Sequence, residues 1–127
     1  MTVLLAMEQE QKKKTNRGII AVYTGNGKGK TTAALGTCLR AVGHGKKVSI
    51  IQFIKGNWET GEQKGVNLLN GLAEIYTMGK GFTWNSDNLD EDIAIARKGW
   101  EKAKNIIESA EYDLVILDEL TYLIKYG

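Results

Sequence analysis

Apolar runs alternate with amphipathic stretches along most of this chain. The runs at 19–23, 48–53, 73–76 and 114–117 have the length of strands. The run at 48–53 is apolar at nearly every position, which is typical of a strand buried on both faces of a parallel sheet. Because strands alternate with helical stretches, the sequence predicts an α/β fold with right-handed crossovers, a parallel sheet and helices on both faces.

The first amphipathic stretch predicts a helix from Thr31 to about Val42, ended by the left-handed stop of Gly43, His44 and Gly45. Its predicted apolar face consists of Leu35, Cys38, Leu39 and Val42.

A longer helix is predicted from Leu89 to Ser109, with Asn88 as its cap. Its predicted buried stripe consists of Ile93, Ala96, Trp100, Ala103 and Ile107. Segments 55–65 and 79–88 are rich in glycine and polar residues and are predicted to be loops.

Composition places the chain among ordinary globular proteins. It has 127 residues, 43% apolar and 25% charged, and a net charge of +2, so no general nucleic-acid partner is indicated. The apolar run Val3–Met7 is too short to span a bilayer, so no membrane partner is indicated either. The single cysteine, Cys38, excludes an internal disulfide and favours a reducing compartment, so we expect a cytoplasmic protein.

The strongest chemical signal is the turn at 24–32, Thr-Gly-Asn-Gly-Lys-Gly-Lys-Thr-Thr, between a predicted strand and a predicted helix. Glycines there let backbone N–H groups point inward, the helix N-terminus adds positive potential, and a lysine reaches the anion. The general P-loop pattern begins with glycine at the position of Thr24, whereas Gly25 stands one place later. A basic glycine turn without a ligand is the alternative. We predict ATP binding by Gly25, Asn26, Gly27, Lys28, Gly29, Lys30, Thr31 and Thr32.

A second signal follows the strand at 114–117, which ends in Asp118 and Glu119. The strand carries these acids to the carboxyl edge of the sheet, where ligands of open α/β sheets bind. We predict that Thr31 and these two acids, Asp118 and Glu119, hold Mg²⁺ beside the phosphates. A helix cap after the strand is an alternative role for the acids. These motifs do not specify a reaction, since the same cradle serves many enzymes.

Several blocks in order resemble the P-loop family of ATP:corrinoid adenosyltransferases. The blocks lie at 25–34, 40–46, 48–56, 81–84 (Gly-Phe-Thr-Trp) and 117–122 (Leu-Asp-Glu-Leu-Thr-Tyr). The resemblance extends from about residue 17 to the end of the chain and implies a RecA-like fold and a homodimer. It also implies transfer of the 5′-deoxyadenosyl group of ATP to the Co(I) of a corrinoid, with release of triphosphate, in adenosylcobalamin biosynthesis or salvage.

The resemblance also assigns roles to single residues. Lys30 and the loop amides would face the leaving triphosphate. Thr31 and Glu119, with Asp118 nearby, would hold Mg²⁺ or Mn²⁺. Lys30 and Glu119 would be the catalytic residues, Glu119 as a metal ligand rather than a general base. Phe82 and Trp84 would close the corrinoid pocket and displace the lower axial ligand, so that a flavodoxin-type reductant suffices to make Co(I). Packing of these two aromatics in the core is the alternative.

The predicted domains are a flexible polar arm at 1–17 and a P-loop nucleotide-binding domain at 18–127. The resemblance implies further strands after the Asp-Glu block, so we expect a fragment in which 19–23 has two uncovered edges and is prone to aggregate. Two other functions fit the phosphate site, a P-loop ATPase or kinase with a different acceptor and a non-catalytic nucleotide-dependent binding module. The near-neutral charge argues against the binding module.

Overall fold

The structure is a computed structural model that describes residues 1–6, 18–53, 59–78 and 89–125. Its elements in chain order are β1 (Thr2–Ala6), β2 (Ile19–Tyr23), α1 (Lys30–Gly43), β3 (Val48–Gln52), α2 (Gly61–Asn67), β4 (Ala73–Thr77), α3 (Leu89–Glu108), β5 (Leu114–Asp118) and α4 (Thr121–Lys125). The strands form one sheet in the order β2-β1-β5-β3-β4. No helix in these described ranges is long and apolar enough to cross a membrane.

The sheet is mostly parallel. Strand β3 pairs in parallel with β4 and β5, whereas β1 pairs antiparallel with β2 and β5. Strands β2, β5, β3 and β4 therefore point the same way, and their carboxyl ends lie at one edge. The strands predicted from the apolar runs are confirmed, with ends that differ by at most one residue.

Helices cover both faces of the sheet, as predicted. One core lies between the sheet and the side of α1 and α2 and includes Leu4, Cys38, Ile50 and Ile116. The other lies on the side of α3 and includes Val3, Ile51, Val115 and Leu117. Strands β3 and β5 are buried at every position because both of their faces carry helices.

Strand β1 corrects two predictions from the sequence. Residues 2–6 belong to the sheet rather than to a flexible arm, since Thr2, Val3 and Leu4 are buried between β2 and β5. Strand β2 consequently has one edge paired with β1, so the prediction that both of its edges are uncovered is wrong. The remainder of the predicted arm, 7–17, lies outside the described residues.

Helix α2 begins within the segment 55–65 that was predicted as a loop, so the loop prediction is wrong from Gly61 onward. A capping box starts the helix: the Thr60 side chain accepts a hydrogen bond from the Gln63 backbone N–H, and the Gln63 side chain accepts one from the Thr60 N–H. These bonds offset the low helix propensity of Gly61 and Gly65. The predicted loop 79–88, with the proposed cap Asn88, lies outside the described residues.

The predicted helix faces are partly wrong. In α1, Cys38 is buried as expected, but Leu39 is 60% exposed. In α3, Ala103 is buried, whereas Trp100 is 39% exposed and Gly99 is buried in its place. Gly99 packs closely because it has no side chain, which lets the backbone of α3 approach Phe53 and Met78.

Candidate functional site

Two glycines with positive φ angles shape the turn between β2 and α1, the predicted phosphate loop. Gly25 has φ 120° and Gly29, the N-cap of α1, has φ 103°. Side chains rarely tolerate these conformations. A Cβ at either glycine would meet no atom within 4 Å, so the loop needs glycine for backbone conformation rather than for space. The sequence around the predicted anion site therefore dictates its shape.

Lys30, the first residue of α1, turns back over the loop. Its Nζ donates hydrogen bonds to the carbonyl oxygens of Gly25 (2.8 Å) and Gly27 (2.6 Å). Its ammonium group thus lies beside the N-terminus of α1, where the helix dipole also favours an anion. Within α1, all of which is described, the first turn has no acidic residue to neutralise this positive potential.

Thr31 and Asp118 come together across 87 positions of sequence. The Thr31 hydroxyl lies 3.1 Å from Oδ1 and 3.0 Å from Oδ2 of Asp118. Asp118 ends β5 at the carboxyl edge of the sheet, and the parallel direction of β2 and β5 brings the phosphate loop to the same edge. The predicted juxtaposition of the loop hydroxyl with this acid is therefore present.

Two further side chains hold the Asp118 carboxylate. The Thr2 hydroxyl donates to Oδ1 at 2.8 Å, and the Gln52 amide donates to Oδ2 at 3.3 Å. Sequence reasoning missed both residues. Gln52 had a visible signal, a polar residue near the end of an apolar strand, whereas Thr2 required the non-local pairing of β1 with β5.

The oxygen ligands at this position fit a hard divalent cation. Mg²⁺ is commonly held by one or two carboxylates together with substrate phosphates and water, and here a hydroxyl and a carboxylate lie beside an anion cradle. No group of three or more His, Cys, Asp or Glu residues that could hold a metal ion occurs in the described ranges. Thr31 and Asp118 would hold such a cation together with the oxygens of a bound phosphate.

Glu119 follows Asp118 in a left-handed conformation, with φ 57°. The chain turns here after β5, and the Glu119 carbonyl accepts a hydrogen bond from the Tyr122 N–H near the start of α4. The predicted role of Glu119 as a metal ligand and catalytic residue remains a prediction.

The other predicted loop residues and the aromatic pair divide into two groups. Asn26 and Lys28 are exposed on the phosphate loop, and Thr32 is exposed on the first turn of α1. Phe82 and Trp84 lie outside the described residues, so their predicted contact with a corrinoid remains a prediction.

Comparison with known proteins identifies the family of this chain. Residues 16–127 match the family model described as ATP:corrinoid adenosyltransferase BtuR/CobO/CobP. The chain is 54% identical over 111 residues to a corrinoid adenosyltransferase of Escherichia coli strain K12, which covers 87% of this chain and 55% of that protein. It is 52% identical over 111 residues to the corrinoid adenosyltransferase CobA of Salmonella typhimurium, with coverage of 87% and 55%.

A more distant relative gives the same family. A corrinoid adenosyltransferase of Pseudomonas aeruginosa is 41% identical over 111 residues, with 87% of this chain and 55% of that protein covered. The chain therefore spans about half the length of the curated relatives it matches. On the family match and these identities, this chain belongs to the ATP:corrinoid adenosyltransferase family.

Proposed function

We propose that this chain takes part in transferring the 5′-deoxyadenosyl group of ATP to the Co(I) of a corrinoid, with release of triphosphate, in adenosylcobalamin biosynthesis or salvage. The observation that carries the proposal is the contact of Thr31 with Asp118, beside a loop whose carbonyl groups bond the Lys30 ammonium, in a chain of this family.

In the proposed reaction, Co(I) attacks the ribose C5′. A Co–C bond forms, the C5′–O bond breaks, and its electron pair leaves with the triphosphate, so cobalt ends as Co(III). No water has to lose a proton, and the site therefore needs no general base. It does need groups that stabilise negative charge growing on the leaving oxygen, because only interactions stronger in the transition state accelerate the step.

The described residues supply such groups. Lys30 and the amides at the N-terminus of α1 would bind the leaving end of the triphosphate. For this geometry, the loop has to face the α-phosphate end rather than the γ-phosphate. Thr31 and Asp118, with Glu119 beside them, would hold Mg²⁺ or Mn²⁺, which would neutralise part of the phosphate charge.

The proposal includes partners that lie beyond the described site. Phe82 and Trp84 would close the corrinoid pocket and remove the lower axial ligand of Co(II), so that a reduced flavodoxin suffices as the electron donor. We also propose a homodimer in the cytoplasm. The buried thiol of Cys38 accords with a reducing compartment.

A direct test mixes the chain with Mg-ATP and a corrinoid reduced chemically to Co(I), and follows the visible spectrum for formation of the Co–C bond. Adenosylcorrinoid should form with the unmodified chain and not with Lys30→Ala. Orthophosphate released from ATP without any corrinoid would instead indicate a P-loop ATPase or kinase with a different acceptor, and would overturn the proposal.

A further inference from the structure

We propose that Gln52 is a positioning residue for Asp118, and that it connects this carboxylate through a chain of hydrogen bonds to the capped N-terminus of α2. The proposal rests on the proposed function in one respect, that Asp118 lies beside a bound metal–nucleotide complex. It concerns side chains to which neither the motifs nor the family match gives a role.

Three polar side chains form a row across the carboxyl edge of the sheet. Gln52 on β3 is in register with Asp118 on β5 on one side and with Thr77 on β4 on the other. Gln52 is 5% exposed and Asp118 is 1% exposed. Burial of two such groups in one row is costly unless their polar atoms are paired.

Hydrogen bonds join this row to α2. Gln52 Nε2 donates to Asp118 Oδ2 at 3.3 Å, and the Thr77 hydroxyl lies 3.5 Å from Gln52 Oε1. Gln63 Nε2 donates to the Thr77 hydroxyl at 2.6 Å. The chain ends at the cap of α2, where the Thr60 N–H donates to Gln63 Oε1 at 2.8 Å.

The carboxylate of Asp118 sets the direction of every hydrogen bond in this row. An ionised carboxylate only accepts hydrogen bonds, so the Gln52 amide has to present Nε2 to Asp118 and Oε1 to Thr77. The Thr77 hydroxyl then donates a hydrogen bond to Gln52 Oε1 and accepts one from Gln63 Nε2. Every link donates toward Asp118, and such aligned chains are mutually strengthening in a low-dielectric interior.

The expected consequence is a carboxylate whose orientation is already set. Thr2 and Gln52 hold the two oxygens of Asp118 from opposite sides, while Thr31 reaches both of them. A cation that binds between Thr31 and Asp118 therefore does not have to select one rotamer of the acid. Partners that orient a metal ligand in this way are commonly worth about 10-fold or more in metal affinity.

The test is calorimetric titration of the protein with ATP, carried out once in the presence of Mg²⁺ and once in excess EDTA. Gln52→Met keeps the length of the side chain and removes its amide. Thr77→Val removes the hydroxyl at nearly the same side-chain volume. Thr37→Val is the matched control, since the Thr37 hydroxyl bonds only the Ala33 carbonyl within α1 in the described contacts. Thermal unfolding of each variant without nucleotide separates a loss of folding from a loss of positioning.

We expect Gln52→Met to weaken Mg-ATP binding about 10-fold while changing binding in EDTA less than about 2-fold. Thr77→Val should act in the same direction by about 3-fold, and should add nothing in the Gln52→Met background because both break one chain. Thr37→Val should leave both affinities unchanged.

Two results would overturn the positioning role: equal losses with Mg²⁺ and EDTA, or full additivity of Thr77→Val with Gln52→Met. If Gln52→Met does not fold, an unchanged Mg²⁺ dependence in Thr77→Val overturns it. Failure of the unmodified chain to bind Mg-ATP at all would instead contradict the proposed function.

Discussion

At the scale of single residues, the site is built from short-range backbone conformation and a few long-range side-chain contacts. Gly25 and Gly29 give the loop its shape, and Lys30 lies over two of its carbonyl groups. An arriving phosphate oxygen would exchange those neutral acceptors for a charged one, and hydrogen bonds between charged groups are about twice as strong. We therefore expect Lys30 to strengthen phosphate binding.

Replacing Lys30 by alanine tests that contribution. We expect Lys30→Ala to weaken Mg-ATP binding by about 10- to 100-fold, the loss of a charged hydrogen-bond donor. Its thermal unfolding should hardly change, because the ammonium contacts only an exposed loop. Lys47→Ala, which removes an exposed lysine after α1, is the control. Similar affinities for the two variants would show that the loop does not grip phosphate through Lys30.

A second residue-scale prediction concerns pH. The Tyr112 hydroxyl donates to the Glu74 carboxylate, and this bond, followed by burial, raises the pKa of Tyr112 above its usual value of 10.0. Because the folded pKa is the higher one, the stabilisation is complete below pH 10 and is lost as pH rises further. Tyr112→Phe should therefore lower stability at pH 7 by about 1 kcal/mol and flatten the alkaline decline.

Denaturant titrations at a series of pH values, from neutral to above pH 10, measure how the free energy of unfolding of each variant changes. Tyr23→Phe is the control, since Tyr23 packs against the core on the opposite face of the sheet. The interpretation would be wrong if Tyr112→Phe and the unmodified chain lost stability in parallel above pH 10.

At the scale of elements, local pattern predicted most of the sheet and the two longer helices. The acid at the end of β5 was predicted to lie beside the loop hydroxyl because the carboxyl ends of parallel strands lie at one edge of the sheet. Asp118 and Thr31 are in contact as predicted. Strand β1 was missed because a short apolar run has no strand signal without its non-local partners. Helix α2 was missed because its glycines outweighed the Thr60–Gln63 capping box.

Two glycines within helices provide a matched test of packing. Replacing either glycine by alanine should stabilise its helix by about 0.5–1 kcal/mol through higher helix propensity. A Cβ at Gly36 in α1 meets nothing within 4 Å, whereas at Gly99 in α3 it lies 3.3 Å from atoms of Met78 and Phe53. We expect Gly36→Ala to raise the midpoint of thermal unfolding.

Gly99→Ala should be less stable than Gly36→Ala, because Phe53 and Met78 have to shift to admit the methyl group. Circular dichroism melts of both variants under one condition decide the order. Equal stabilisation by the two substitutions would contradict the close approach of α3 to the sheet.

At the scale of the whole molecule, β1 is the strand that joins the phosphate loop to the rest of the sheet. It lies between β2 and β5 and supplies Leu4 to one core and Val3 to the other. Among the described strands, β2 is at the edge of the sheet, and its Ile19, Ile20 and Val22 are exposed. Exposed apolar edge strands favour association between chains, so the aggregation expected from the sequence remains a prediction for the uncovered edge of β2.

A pair of substitutions tests the place of β1 in the sheet. Leu4 is 3% exposed on β1, whereas Ile20 is 71% exposed on β2. Leu4→Ala should therefore cost about 2–5 kcal/mol of unfolding free energy, and Ile20→Ala should cost within about 0.5 kcal/mol. Urea titrations of both variants give the comparison. Equal costs would mean that residues 2–6 do not form an interior strand.

The proposed reaction requires that the loop bind a triphosphate that leaves intact. Phosphorus NMR of a reaction containing the chain, Mg-ATP and Co(I) corrinoid measures the leaving group directly. We expect triphosphate in equal amount to the adenosylcorrinoid formed, and none without corrinoid. Accumulation of ADP and orthophosphate in its place would contradict the account.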